Sequence, residues 1–270
     1  MKIKKLDHLS SIYQEYDAFL IDLWGVMHDG IRLNVSAIDA VNKLEAKGKK
    51  IIFLSNAPRP TKKVAEFLKK LKMEDKLLKN ILTSGEAAMN SLKENKFGKK
   101  FYHLGPERDD SLFYNIKENK TTIDKCDFIL CTGLFDEEEE NLQFYENLLK
   151  DFTNKKLVCT NPDLTVHRGK VEEYCAGKIA EIFEKLGGKV IYFGKPHKEV
   201  YLTCLDMRQK ILVIGDNLKT DIKGANNMNL NSIFITNGVH RSKINTKEDI
   251  EKLLKIHNVS ANYFQEELTW

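Results

Sequence analysis

Proline and cysteine are scarce in this chain, and no long apolar run occurs. Only 5 prolines and 15 glycines stand among 270 residues, too few for a collagen-like or low-complexity chain. The 5 cysteines, Cys126, Cys131, Cys159, Cys175 and Cys204, are odd in number, scattered and free of CxxC spacing. That pattern argues against a disulfide framework and against a zinc site, so reduced and mostly buried thiols are expected. The longest uninterrupted apolar stretches, such as Ile51–Leu54 and Ile211–Ile214, fall far short of the ~20 residues that span a bilayer. No membrane segment is expected. The opening stretch from Lys2 to Asp7 is charged and has neither the apolar core nor the cleavage site of a secretory signal, which makes the cytoplasm the expected compartment. With 43 basic against 39 acidic residues, a formal charge of +4, charge alone implies neither a nucleic acid nor an anionic membrane as partner.

What is present is the composition of a folded protein, 42% apolar and 30% charged, in a length that suits one large domain or a core with a smaller companion. Short apolar runs alternate with amphipathic segments, the pattern of βαβ units and a parallel sheet. Strands are expected over 17–23, 50–55, 80–83, 99–104, 127–132, 156–160, 190–193, 211–214 and 232–235. Helices are expected over 36–47, 61–71, 86–93, 111–118, 141–151, 198–205 and 221–228. The acidic run Glu137–Glu140 reads as a solvated helix start, because carboxylates with no spacing between them do not converge on a metal.

Three of the clearest strands end in a chemically useful side chain: Asp22 closes FLIDL, Ser55 closes IIFLS and Asp216 follows ILVIG. A fourth, VIYF, runs into Gly194-Lys195-Pro196. Ligands of open parallel sheets bind at the carboxyl ends of the strands, so two carboxylates, a hydroxyl and an ammonium are expected at one crevice. That set suits phosphoryl transfer, in which a carboxylate attacks phosphorus and cations neutralise the equatorial oxygens. Mg²⁺ takes hard oxygen ligands, commonly one or two carboxylates with substrate phosphate and water, and it would relieve the repulsion between two acids and an anionic phosphate.

The stretches DLWGVMHDG at 22–30, FLSNAPRP at 53–60, GKPH at 194–197 and GDNLKTDIKGA at 215–225 resemble, in order and spacing, the four motifs of the haloacid dehalogenase-like hydrolase superfamily. Within it the chain is similar to the NagD-like and p-nitrophenyl-phosphatase-like subclass. The resemblance implies a Rossmann-like α/β core over 1–98 and 187–270, interrupted by an α/β cap of the C2 type over 99–186. It implies Asp22 as nucleophile through an aspartyl-phosphate, Ser55 as the hydroxyl holding the transferring phosphate, and Lys195 as partner of both. It implies Mg²⁺ held by Asp22, the backbone carbonyl of Trp24, Asp216 and Asp221, with Asn56 and Asn217 as polar neighbours. The segment TNPDLTVHRG at 160–169 is by composition a polar loop. By resemblance it is the cap loop over the active site, with Asn161, Asp163 and Arg168 as substrate contacts. The implied partner is a small phosphorylated metabolite, and a homo-oligomer stays open.

One position departs from the family pattern. The family places a second aspartate two residues after the nucleophile, as general acid and base, where this chain has Trp24. An indole exchanges no proton at neutral pH, and a missing general acid typically removes ~10²–10⁴ in rate. Three readings follow: esters with good leaving groups as substrates, a neighbouring group such as His28, Asp29 or Arg59 in the missing role, or a slow or inactive phosphometabolite-binding protein. True haloacid dehalogenases also carry an aromatic residue at this place, but the acidic GDNLKTD stretch ranks dehalogenation below phosphate chemistry. Trp24 itself is expected to pack as the pocket floor, with stacking toward an aromatic substrate as the lesser alternative.

Overall fold

The computed structural model describes residues 3–138, 140–168 and 171–270, with the backbone alone at 167, 168, 171 and 172. The strands run in chain order as β1 (Lys4–Lys5), β2 (Ala18–Ile21), β3 (Lys50–Ser55), β4 (Ile81–Thr83), β5 (Phe101–Leu104), β6 (Phe128–Cys131), β7 (Lys156–Cys159), β8 (Thr165–Arg168), β9 (Val171–Tyr174), β10 (Lys189–Tyr192), β11 (Ile211–Gly215), β12 (Asn231–Ile235) and β13 (Tyr263–Gln265). The α-helices are α1 (Val35–Ala46), α2 (Thr61–Lys70), α3 (Asp75–Leu78), α4 (Ser84–Leu92), α5 (Leu142–Leu149), α6 (Ala176–Lys185), α7 (Lys198–Cys204), α8 (Lys223–Asn227) and α9 (Lys247–Ile256).

The chain divides into two compact units, one of residues 1–55, 65–82 and 195–270, the other of 56–64 and 83–194. In the first, a sheet runs in the order β1-β13-β12-β11-β2-β3-β4. Its pairs β11/β12, β11/β2 and β2/β3 are parallel. Every residue of β2 (AFLI) and β11 (ILVIG) is buried, as continuous apolar strands at the centre of a parallel sheet are when both faces are covered. Helix α1 turns Ala37, Ala40, Val41 and Leu44 inward, the three-and-four spacing of one helical face. Helix α9 starts on a capping box between Thr246 and Asp249, which satisfies free N–H groups of its first turn, and it packs Ile250, Leu253 and Leu254 with Ile3, Phe234 and Phe264.

The second unit holds the sheet β10-β7-β6-β5, also parallel, and the antiparallel hairpin β8/β9. Its core gathers Ile129, Cys131, Leu157 and Cys159 from the strands with Tyr145 and Leu149 of α5 and Ile179 and Phe183 of α6. The cysteines are free; Cys126, Cys131, Cys159 and Cys175 are buried and Cys204 is half-buried.

Several expectations are corrected. The strand VIYF does not belong to the first sheet: β10 pairs with β7, residue for residue from Lys189 against Lys156 to Tyr192 against Cys159. The boundaries expected at 98/99 and 186/187 both fall inside the second unit, which also takes in 56–64 and α4. The polar segment 160–169 is only partly a loop, since Thr165–Arg168 forms β8. The expected helix over 111–118 is a run of 3-10 turns, Glu107–Asn119, broken at Phe113 and Ile116. The acidic run forms a short 3-10 turn, Asp136–Glu138, and Glu139 lies outside the described residues. The expected helix 221–228 is a π-helical turn, Leu218–Ile222, followed by α8.

Candidate functional site

The site is built at the carboxyl ends of β2, β3 and β11 in the first unit. Beyond Ile21 the backbone of Asp22 stays tied to the neighbouring strand, its N–H donating to Ile214 O at 2.9 Å. Asp216 follows directly on β11, and Ser55, half-buried, is the last residue of β3. The π-helical turn after Asn217 returns Asp221 toward the strand end, where its carboxylate accepts the Asn217 N–H at 3.1 Å. Such a one-residue widening of a helix is frequent at functional sites. The carboxylates of Asp22, Asp216 and Asp221 are all buried, with one oxygen of each within 4.8 Å of the others.

Lys195 enters this acidic group from the GKPH stretch and is 3% exposed. Its Nζ donates to Asp22 Oδ1 at 2.5 Å and to Asp221 Oδ1 at 2.7 Å. Burial alone would lower the lysine pKa, but the charges and hydrogen bonds of Asp22 and Asp221 outweigh it and hold the ammonium well above the usual range. Burial, then the charges of Asp22 and Asp221, pushes the Asp216 carboxyl far upward, with the Val239 N–H and Lys195 pulling the other way.

Asp216 fits a tight backbone cradle. Its Oδ2 accepts the Val239 N–H at 2.7 Å, and a Cβ at Gly25 or at Gly238 would lie 2.1 Å from the same oxygen. Gly25 also has φ +87°, a backbone region that a side chain disfavours. Val239 and Gly238 were not among the expected site residues. The signal available in the sequence was a Gly just past β12, a strand end beside β11.

His28 and Trp24 stand on the turn that follows Asp22. His28 is buried, accepts the Gly30 N–H on Nδ1 at 3.0 Å, and is lowered by burial to about 4 against the opposing charge of Asp29, so it is neutral at pH 7. Trp24 does not close a pocket floor: it is 39% exposed, edge-on to His28 with ring centroids 5.1 Å apart. Its ring lies against Gly30, where a Cβ would meet the indole at 2.6 Å.

The remaining expected residues belong to the second unit. Asn56 Nδ2 donates to Asp163 Oδ1 at 3.2 Å, and Asn161 Oδ1 accepts the Asp163 N–H at 3.0 Å. Arg59, offered as a proton donor by its place in the sequence, instead pairs through Nε with the buried Asp109 at 3.4 Å. The side chain of Arg168 lies outside the described residues. The segment 56–60 is clamped by residues the sequence did not single out: Ser84 Oγ donates to Ala57 O and to Thr160 O, and Thr83 Oγ1 donates to Arg59 O at 2.6 Å.

Two family models match the chain, one described as haloacid dehalogenase-like hydrolase over residues 19–116 and one as HAD-hydrolase-like over 192–260. The chain belongs to the haloacid dehalogenase-like hydrolases. The matched segments of this hydrolase carry Asp22, Ser55, Lys195, Asp216 and Asp221. A haloacid dehalogenase-like hydrolase from Brucella suis 1330 superposes with a TM-score of 0.82 at 28% identity, covering 98% of this chain and 100% of that one. The p-nitrophenyl phosphatase from Archaeoglobus fulgidus shares the fold at a TM-score of 0.75 and 20% identity, over 93% of this chain and 96% of its own. Among curated relatives, the Bacillus subtilis 5'-nucleotidase YutF is 23% identical over 245 residues, 88% of this chain and 93% of the relative. The acid sugar phosphatase of Staphylococcus aureus (strain USA300) is also 23% identical, over 88% of this chain and 91% of that protein. No helix among the described residues of the hydrolase is long and apolar enough to cross a membrane.

Proposed function

We propose that this hydrolase cleaves small phosphate monoesters by attack of Asp22 on phosphorus. The observation that carries the reading is the buried pairing of the Asp22 carboxylate with Lys195 at 2.5 Å, beside two further carboxylates. An ammonium so placed orients the Asp22 side chain, and it offers a positive charge where an incoming phosphate brings negative charge. Asp22 Oδ forms the new bond to phosphorus as the ester oxygen leaves, and water then releases orthophosphate and restores the carboxylate. Ser55, at the end of β3, is assigned to hold the transferring phosphate. Asn56, Asn161, Asp163 and Arg168 are assigned to the rest of the substrate, and the second unit to the part of a cap.

The donor set fits a divalent cation. Three buried carboxylates with one ammonium leave an excess of negative charge, which adds to burial in pushing Asp216 upward. Hard oxygens at this density suit Mg²⁺, and Asp22, Asp216, Asp221 and the Trp24 carbonyl would hold it. Once bound it would supply charge neutralisation for the phosphate oxygens.

Purified protein supplied with Mg²⁺ and a panel of aryl, acyl and sugar phosphates tests the reading. Phosphate release that disappears in Asp22→Asn is expected; release unchanged by that substitution would sink the nucleophile assignment. Trp24 in place of an acid favours a second reading, a phosphometabolite-binding protein, and thermal stabilisation by phosphate esters without turnover would favour it. Chloride release from a 2-haloacid without metal would point to dehalogenation instead.

A further inference from the structure

We infer that the exposed face of the Trp24 indole selects phosphate esters whose leaving group is flat and weakly basic, aryl phosphates ahead of alkyl ones. The inference rests on the phosphatase reading above and adds the substrate class to it.

The placement of Trp24 follows from its neighbours. It lies between Asp22 and Gly25 in the chain, and both belong to the acidic group: Asp22 as a member, Gly25 because a Cβ there would strike the Asp216 carboxylate. Adjacent Cα atoms are ~3.8 Å apart, so the indole springs from the rim of that group. One side of the ring is fixed. Gly30 lies against its six-membered edge, the His28 ring meets it edge-on at 5.1 Å, and His28 in turn meets Phe67 edge-on at 5.6 Å. The Gly30 N–H bonded to His28 Nδ1 locks the turn between them. Yet 39% of Trp24 stays exposed. A large aromatic ring, held rigid from behind and open in front, loses little entropy when a second ring stacks on it, and such pairs are worth ~0.5–1.5 kcal/mol beyond area burial.

The second half of the inference is the proton. In the attack the Asp22 oxygen bonds to phosphorus, the phosphorus–oxygen ester bond breaks, and its electron pair leaves on the ester oxygen. The indole N–H is a donor that does not ionise near neutral pH; His28 accepts the Gly30 N–H on Nδ1, so its ring is the neutral imidazole with the proton on Nε2, likewise no acid near neutral pH. With neither side chain delivering a proton, the leaving oxygen departs as an anion. A phenolate tolerates this and an alkoxide does not. The orthophosphate and one proton appear when water then cleaves the aspartyl-phosphate.

The chain has 2 tryptophans, Trp24 and Trp270, and Trp270 packs on Tyr13 far along the chain. In a Trp270→Phe protein the emission therefore belongs to Trp24 alone. With Mg²⁺ present, titration with phenylphosphonate is expected to quench it saturably, at concentrations ~2–10-fold below those needed for methylphosphonate. Across p-nitrophenyl, phenyl and benzyl phosphate, kcat/KM is expected to fall by ~10²-fold or more. Trp24→Asp is expected to flatten that fall, whereas Trp24→Leu should keep it and raise KM for the aryl esters. Equal affinity for the two phosphonates, a flat ester series, or an unchanged aryl KM in Trp24→Leu overturns the inference while leaving Asp22-dependent hydrolysis standing. Selective quenching in a protein that releases phosphate from no ester overturns the phosphatase reading instead.

Discussion

Gly25 lies so close to Asp216 that the carboxylate oxygen Oδ2 stands 2.1 Å from where a Cβ would be. The glycine is thus part of the acid's binding wall, and the positive φ of +87° makes any side chain there strained as well as crowded. Gly25→Ala is expected to displace Asp216 and reduce phosphate release by ~10²-fold or more, the scale seen when a placed charge is lost from a catalytic site. Stability should fall by ~1–3 kcal/mol, as overpacking usually costs. Steady-state rates and urea unfolding measure the two effects; a fully active Gly25→Ala protein would contradict the cradle.

Removing the ammonium leaves buried acids facing one another. Lys195→Gln is expected to abolish turnover and to destabilise the fold by ~3–5 kcal/mol, the cost of breaking a buried pair. Adding Asp22→Asn to it should recover part of that loss, because one of the unpaired charges is then gone. A double-mutant cycle with no coupling between positions 22 and 195 would count against the pairing at 2.5 Å.

The same excess of acid predicts metal linkage. Millimolar Mg²⁺ is expected to raise Tm in the intact protein, by ~2.7 kcal/mol of stability at a hundredfold excess over Kd, and to lose this effect in Asp216→Asn. Chelation should silence hydrolysis reversibly. A Tm indifferent to Mg²⁺ would remove the cation from the account.

Acid should unfold the protein through its histidines. His28, His103 and His240 are buried, and burial lowers each to about 4 from an ordinary 6.5. The folded pKa lies below the unfolded one, so the unfolded chain binds more protons between these values. The stability the neutral rings contribute is present above pH 6.5 and drains as pH falls toward 4. Each residue accounts for ~3 kcal/mol at most, at 1.36 kcal/mol per pKa unit. Thermal melts between pH 7.5 and 4.5 follow the loss, and His103→Gln should make it shallower. His103 tests the point away from the acidic group: burial depresses it first, Lys120 adds to this, and Asp110 opposes.

Much of the site was legible because three of its parts, Asp22, Ser55 and Asp216, end or directly follow a buried strand. The runs before Asp22, Ser55 and Asp216 are short, apolar and β-branched, and the structure ends β2, β3 and β11 at those places. VIYF has the same appearance, yet it joins the other sheet through β7. The residue types of the run do not separate the two cases and both sheets are parallel, although β2 and β11 are fully buried and β10 at most half-buried; partner choice lies in long-range register. The hairpin β8/β9 escaped because the stretch around its first strand, TVHR, is polar and turn-rich, and α6 escaped because Cys175 gives its start no side-chain cap. Residues that position others were hardest to read. Val239 acts through its backbone N–H and Gly238 through its missing side chain, and neither function leaves a mark in residue type beyond a glycine in a turn.

Asp22 and Lys195 are 173 residues apart, and β2 is flanked by β3 on one side and by β11 on the other. A nascent chain emerging from the ribosome therefore makes its nucleophile early and acquires the matching cation only in its last third. Until residues 211–215 appear, β2 has one edge with no neighbour in the finished order, a strand wholly apolar and open to wrong pairings. A truncated product ending before Lys195 would carry the acid without its counter-charge and the sheet without its middle. Premature termination should accordingly yield aggregates rather than a partly active fragment.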